Sequence, residues 1–244
     1  MHGAAEDDGR MGEPRGRDVA ARVVALWTLA IGFGASVLVG LSPTSWLQAR
    51  LRYACEFEAE EWVCDGNAAL LAAGASSLVL STLALGSIAL IVRATWDRVR
   101  LRAERFGWIA LIAVLPTLIL CGLLLLDAAT HEPAGVELDD SRLAMWIESA
   151  MIPALATAVA GVLAGSGLRM RARGRPRRVA FVTILPAFAL LLVAAVISFL
   201  GTLPTGIVAA SAIGAGWYLA AAAWPGAAKQ TVGDVDPDRS RSTS

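Results

Sequence analysis

The chain has almost no lysine. Lys229 is the single one, so nearly all positive charge is arginine. Histidine is nearly missing too, with only His2 and His131. Neither falls in an apolar run, which removes the axial ligand that a membrane haem draws from histidine. Cysteine is limited to Cys55, Cys64 and Cys121. That supply is too small for a Cys/His metal cluster of the usual kind. No CxxC pair occurs, so the reactive couple of a membrane quinone–thiol enzyme is missing. Formal net charge is zero, and no basic excess points to nucleic acid. No cofactor is expected.

Apolar residues, by contrast, are abundant. They make up 56% of the chain, against roughly 45–50% in a soluble domain. They are gathered into six runs, at residues 22–41, 67–92, 106–126, 144–168, 179–200 and 206–224. About 20 apolar residues let a helix cross the hydrocarbon core. Nothing in a soluble fold of this size would cover so many such helices. The first run is longer than a signal-peptide core and has no A-x-A site after it, so it reads as a retained span. Residues 1–21 and 225–244 are polar and are expected to be disordered.

Charge orients the spans. Residues 93–105 carry five arginines against Asp97 and Glu104, and 169–178 carry six arginines and no acid. By the positive-inside rule both loops face the cytoplasm. Acid concentrates in loops 42–66 and 127–143, and 201–205 is a short outer turn. The expected fold is an all-α integral membrane protein. It has six transmembrane helices in three antiparallel hairpins, with both termini cytoplasmic. The arginine and alanine bias fits a GC-rich genome, and a bacterial plasma membrane is the expected location.

Rows of small residues at four-residue steps mark helix contacts, because lipid supplies no hydrophobic drive between helices. They are Gly32, Ser36 and Gly40; Ala69, Ala73, Ser77 and Ser81; Thr157, Gly161 and Gly165; and Gly206, Ala210 and Gly214. A second row, Ala212, Gly216 and Ala220, accompanies the last of these. Pro116, Pro153 and Pro186 fall inside spans and are expected to kink them.

Motifs for chemistry fail on inspection. An intramembrane serine protease of the rhomboid type carries GxSG and a later histidine as base. Here residues 164–167 read AGSG, and no histidine follows His131. Ser166 therefore has no base partner. The two flanking glycines are expected to loosen that helix end. Residues 203–206 read LPTG, one residue short of a sortase signal, and Pro204 and Gly206 read as turn residues.

Three groups of polar residues remain. The segment CEFEAEEWVC, residues 55–64, is placed outside, where a Cys55–Cys64 disulfide would persist. A hairpin there would set Phe57 opposite Trp62, and a short helix is the alternative. Asp127, His131 and Glu148 form the candidate polar or transport site. Glu148 lies one turn inside its span and needs a partner, such as Arg142, Arg50 or Arg52, or an escape to the surface. Arg98, Arg100, Arg102, Arg171, Arg173 and Arg175 are candidate contacts for anionic lipid head groups or a docking partner.

The expected role is a non-enzymatic accessory or interaction subunit of an envelope system. It would contact membrane lipids and a membrane-protein partner or a second copy. A transporter or permease subunit is the alternative, and a membrane-embedded enzyme ranks last.

Overall fold

The computed structural model describes residues 13–40, 47, 50–52, 55–58, 61–63, 67–94, 103–130, 141–198 and 200–222. The first element, α1, is Glu13–Leu38. Strands β1 (Glu56–Glu58) and β2 (Glu61–Val63) follow. Next come α2 (Asn67–Ala94) and α3 (Ala103–Thr130). A continuous helical run then comprises α4 (Arg142–Trp146), a π turn (Ile147–Met151) and α5 (Ile152–Ala172). Helices α6 (Arg177–Ile197) and α7 (Leu203–Ala222) complete it. Five of these helical runs are long and apolar enough to cross a membrane, and α2 contains a shorter apolar stretch, Gly74–Leu90.

Small residues make up much of the interior, including Ala160, Ala164, Ala209, Ala212 and Ala215 at 0% exposure, beside buried larger side chains such as Phe106, Ile109, Leu168 and Ile213. Large apolar side chains point outward, such as Leu83, Leu155, Leu192 and Val182, the last 71% exposed. A core of small side chains lets backbones approach closely, while the outer apolar surface matches lipid.

Helix α7 holds the centre. It packs on α1 and α3, and less on α2, α5 and α6. Helix α5 packs most extensively on α6 and α3. Of the three expected hairpins, the one built from α3 and α4–α5 is a principal contact, whereas α1 with α2 and α6 with α7 are minor ones. The small residues explain this choice. A Cβ on Gly32 would sit 2.2 Å from the Ser211 hydroxyl, so α1 lies directly on α7. A Cβ on Gly165 would sit 3.2 Å from the Gly107 carbonyl, so α5 lies on α3. Gly165 and Gly167 are sites of close approach and do not loosen the helix, which continues to Ala172.

Helix α5 ends in a Schellman-type turn. Arg175 N–H donates to the Met170 carbonyl, and Gly174 takes φ 76°. Pro176 then starts α6. The short GRP connection returns the chain against α5, which accounts for that extensive contact.

Boundaries shift where local chemistry allows. Helix α1 begins at Glu13, within the segment expected to be disordered, with Pro14 in its first turn. Helix α7 begins at Leu203, so Pro204 and Gly206 are helical and the turn precedes them at 200–202. Proline suits the first turn because its missing N–H has no intrahelical partner there. Pro116 and Pro186 sit inside unbroken helices. Pro153 follows the π turn, whose wider backbone relieves the clash and lost bond that proline imposes one turn back.

The two ends of the bundle differ. At the end carrying Arg169–Arg178, the basic end, Gly107 near the start of α3 meets Arg169 near the end of α5. Phe181 near the start of α6 meets Trp217 near the end of α7. These helices finish nearly level. At the opposite, hairpin end, Thr117 hydrogen-bonds Thr205 just inside α7, while thirteen residues of α3 still lie beyond Thr117. At 1.5 Å per residue, α3 runs roughly 15–20 Å past this contact.

Candidate functional site

The overhanging tips of α3 and α4 carry a small second core. Leu47, Leu51, Leu120, Leu124 and Ala150 are buried together, with Trp146 packed against them. Leu47 and Leu51, ahead of the hairpin, are thus seated on the α3–α4 corner. The hairpin has the register Glu56↔Val63, Phe57↔Trp62 and Glu58↔Glu61, so the strand alternative is the one found. Pairs in register share a face, which places Glu56 and Val63 on one side.

Arg142 joins these pieces. It is 8% exposed, at the first position of α4. Its Nη2 donates to the Cys55 carbonyl. Its Nη1 stands 3.7 Å from the Asp127 carboxylate, near the end of α3. One guanidinium therefore links the hairpin, α3 and α4. Two neighbouring bonds hold α4 in place. Ser141 caps it by accepting from Ala144 N–H, and the Trp146 indole donates to the Cys121 carbonyl at 3.0 Å. Cys121 is buried in α3 and is the free cysteine among the described residues.

Of the expected polar site, Asp127 is thus engaged by Arg142. Glu148 is exposed on the π turn and does not take Arg142 as its partner. His131, Cys64, Arg98, Arg100 and Arg102 lie outside the described residues. Among those described, no three His, Cys, Asp or Glu side chains stand close enough to hold a metal.

The basic end is arranged differently. Arg173 and Arg175 are exposed, as are Arg177 and Arg178. Arg171 lies over the Trp217 ring, 5.3 Å from its centroid, a cation–π distance. Phe181 meets the same indole edge-on at 6.3 Å. Arg169 lies against Gly107 so closely that an added Cβ would be 2.1 Å from its Nε. Among the described residues, none of these six arginines makes an ion pair. The Nε atoms of Arg169 and Arg171, like that of Arg142, are buried and have no hydrogen-bond partner among the described residues.

A third polar feature crosses the bundle below the α6–α7 turn. Thr117 donates to Thr205 at 2.8 Å, Thr205 donates to the Thr202 carbonyl, and the Thr202 and Ser198 hydroxyls are 2.9 Å apart. All four residues are buried. Satisfied hydroxyls of this kind tie helices together in lipid.

Sequence reasoning missed Arg142 as the hub, as well as Arg169, Trp146 and the hydroxyl chain. One signal was available for the hub. Arg142 and Asp127 end two consecutive spans at the same bundle end, where an unpaired charge would be costly. The hydroxyl chain left only the weak spacing of Ser198, Thr202 and Thr205. No protein-family model matches the chain, and comparison with curated proteins and with solved structures returned no match.

Proposed function

We propose that the chain is a non-enzymatic accessory or interaction subunit of a bacterial envelope system, spanning the plasma membrane with its basic end in the cytoplasm. The outer surface carries this reading: large apolar residues face outward along helices long and apolar enough to cross a membrane. The positive-inside rule supplies the orientation. The chemistry of the two ends supports the role. The buried charge among the described residues, Arg142, is spent on holding the hairpin. The arginines at the other end stand ready for acidic partners or head groups.

On this reading the hairpin lies outside, and Cys55 and Cys64 form a disulfide. They flank the last strand pair, Glu56↔Val63, and Cys55 is fully buried. A loop this short contributes a little under ~3 kcal/mol in the chain-entropy model.

Two measurements test the proposal. Thiol-labelling of cysteine variants in intact cells should find position 173 protected and position 56 accessible. Co-purification of a stable membrane partner should be lost when the arginines of 93–105 are reversed in charge. A cation or proton flux that disappears in Glu148→Gln would instead establish a permease subunit and overturn the accessory role.

A further inference from the structure

We infer that Ser36, Ser77 and Ser81 bind ordered water in the cleft between α1, α2 and α7, a buried hydrated site inside the bundle. All three residues are fully buried, and their hydroxyls have no hydrogen-bond partner among the described residues. Elsewhere the fold satisfies such groups. Thr28, Ser166, Thr183 and Ser211 donate to carbonyls of their own helices, and Thr117 donates to Thr205.

The packing of two antiparallel helices brings the three serines to one depth. A Cβ on Gly74 of α2 would be 3.7 Å from the Gly40 carbonyl oxygen, just past the end of α1, and a Cβ on Gly40 would be 3.2 Å from Leu78. Further along, Leu85 and Ile88 of α2 join Ala25 and Leu29 of α1 in one core. The helices therefore run past each other in opposite directions from the Gly40–Gly74 contact. Ser36 stands about 6 Å along α1 from that contact, and Ser77 and Ser81 about 4.5 and 10.5 Å along α2. All three fall within a slab roughly 6 Å deep.

Their directions converge as well. Gly32, Ser36 and Gly40 form one stripe of α1. Gly40 meets α2, and Gly32 meets Ser211 of α7, so Ser36 between them faces the cleft between α2 and α7. On α2, Ser77 and Ser81 are turned from Gly74 by about 60° and 20°, to the side away from Leu78. Because α1 and α2 are antiparallel, that turn leads to the same side as the turn from Gly40 to Gly32, which is the α7 side.

Room and chemistry select the ligand. Gly74 is buried, yet a Cβ there would find only the Gly40 carbonyl oxygen within 4 Å among the described residues. Gly74 lies one turn from Ser77, so this open space adjoins the hydroxyls. A buried water takes about two to four polar partners, and hydroxyls that both donate and accept supply them. A cation would use their acceptor side alone, and hard cations take about six oxygens or more.

Unfolding equilibria of the full chain in neutral detergent read the water through the sign of each change. Ser77→Ala should raise the unfolding constant about fivefold or more, since it takes a partner from the bound water. The variant combining Ser36→Ala, Ser77→Ala and Ser81→Ala should unfold less readily than that single variant, because no hydroxyl then needs a partner. Gly74→Ala should also raise the constant, by intruding on the water. In a dry cleft both signs invert: Ser77→Ala removes an unsatisfied hydroxyl, and Gly74→Ala fills a void while favouring the helix. A lowered unfolding constant in either single variant would therefore overturn the site. An unchanged constant in Ser77→Ala would overturn it too, by returning that hydroxyl to a carbonyl of its own helix. So would a thermal midpoint raised by sodium chloride and not by choline chloride at equal ionic strength, which would assign the serines to a cation.

Discussion

At the hairpin end, Arg142 is enclosed by groups that accept from it: the Cys55 carbonyl and the Asp127 carboxylate. At the basic end, Arg169 and Arg171 are part-exposed and lie on Gly107 and Trp217, where their buried Nε atoms meet no acceptor among the described residues. The first arrangement consumes the charge in holding three chain segments together. The second immobilises the charge and leaves it available. An arginine at a membrane rim can thus be a fold element or a ligand group, and its acceptors decide which.

Arg142 offers the hardest test of that contrast. Replacement by methionine leaves Asp127 and the Cys55 carbonyl without their cation. Breaking a buried pair costs about 3–5 kcal/mol. Asp127 is 30% exposed, so water recovers part of that loss. Arg142→Met should therefore lower stability by about 2–3 kcal/mol, read from equilibrium unfolding in detergent. It should also release the hairpin, seen as faster proteolysis within residues 42–66. A stability change under ~0.5 kcal/mol, the range of ordinary surface substitutions, would place Arg142 in the same class as Arg171.

Packing beneath the two ends gives the next effect. A methyl group on Gly167 would sit 2.5 Å from the Thr183 hydroxyl, 2.6 Å from Ile184 and 3.1 Å from the Ala180 carbonyl. Backbone contact leaves little room to yield, so Gly167→Ala should cost about 1–3 kcal/mol by overpacking α5 against α6. Gly206 has open space around its added Cβ. There the substitution should stabilise by about 0.5–1 kcal/mol, the helix gain of alanine over glycine. Opposite signs at these two positions, measured in the same detergent, would confirm that α5–α6 is the close contact.

Smaller still is the tie from α4 to α3. Trp146→Phe keeps the ring in its pocket and removes the bond to the Cys121 carbonyl. The expected loss is about 1 kcal/mol. It should be smaller in an Arg142→Met background if both residues hold the same corner.

The sequence carried the spans well and their partners poorly. Apolar run length places a helix because the hydrocarbon core demands it, and the structural helices match the six runs within a few residues, apart from the start of α1. The hairpin register of residues 56–63 could also be read, since pairing Cys55 with Cys64 sets Phe57 opposite Trp62. Which helices pair is another matter. Gly32 and Ser211 are far apart in the chain, and nothing local to either says that they touch. The same limit hid the Arg142 hub. Asp127 was singled out, yet its partner depended on how α3 and α4 meet, while Glu148, six residues past Arg142, stayed exposed. Pro153 stands one residue after a π turn that its sequence position alone did not announce.

The finest test lies at the basic end in the absence of any anionic lipid. Arg171→Gln removes a charge that no acid within the described chain balances, and glutamine keeps much of the stem. Some cation–π attraction to Trp217 is lost, about 0.5–1 kcal/mol where exposed. Repulsion from Arg169, Arg173 and Arg175 is relieved in return. The two should nearly cancel, leaving stability within about 0.5 kcal/mol of wild type in neutral detergent. Salt separates the terms. Screening weakens repulsion between exposed charges beyond about 10 Å at 0.1 M. Raising ionic strength should therefore stabilise wild type more than Arg171→Gln. At Arg142, where the nearest charge is of opposite sign, salt should act in the other direction or not at all. If both arginines respond to salt alike, the distinction between a satisfied and an available cation fails.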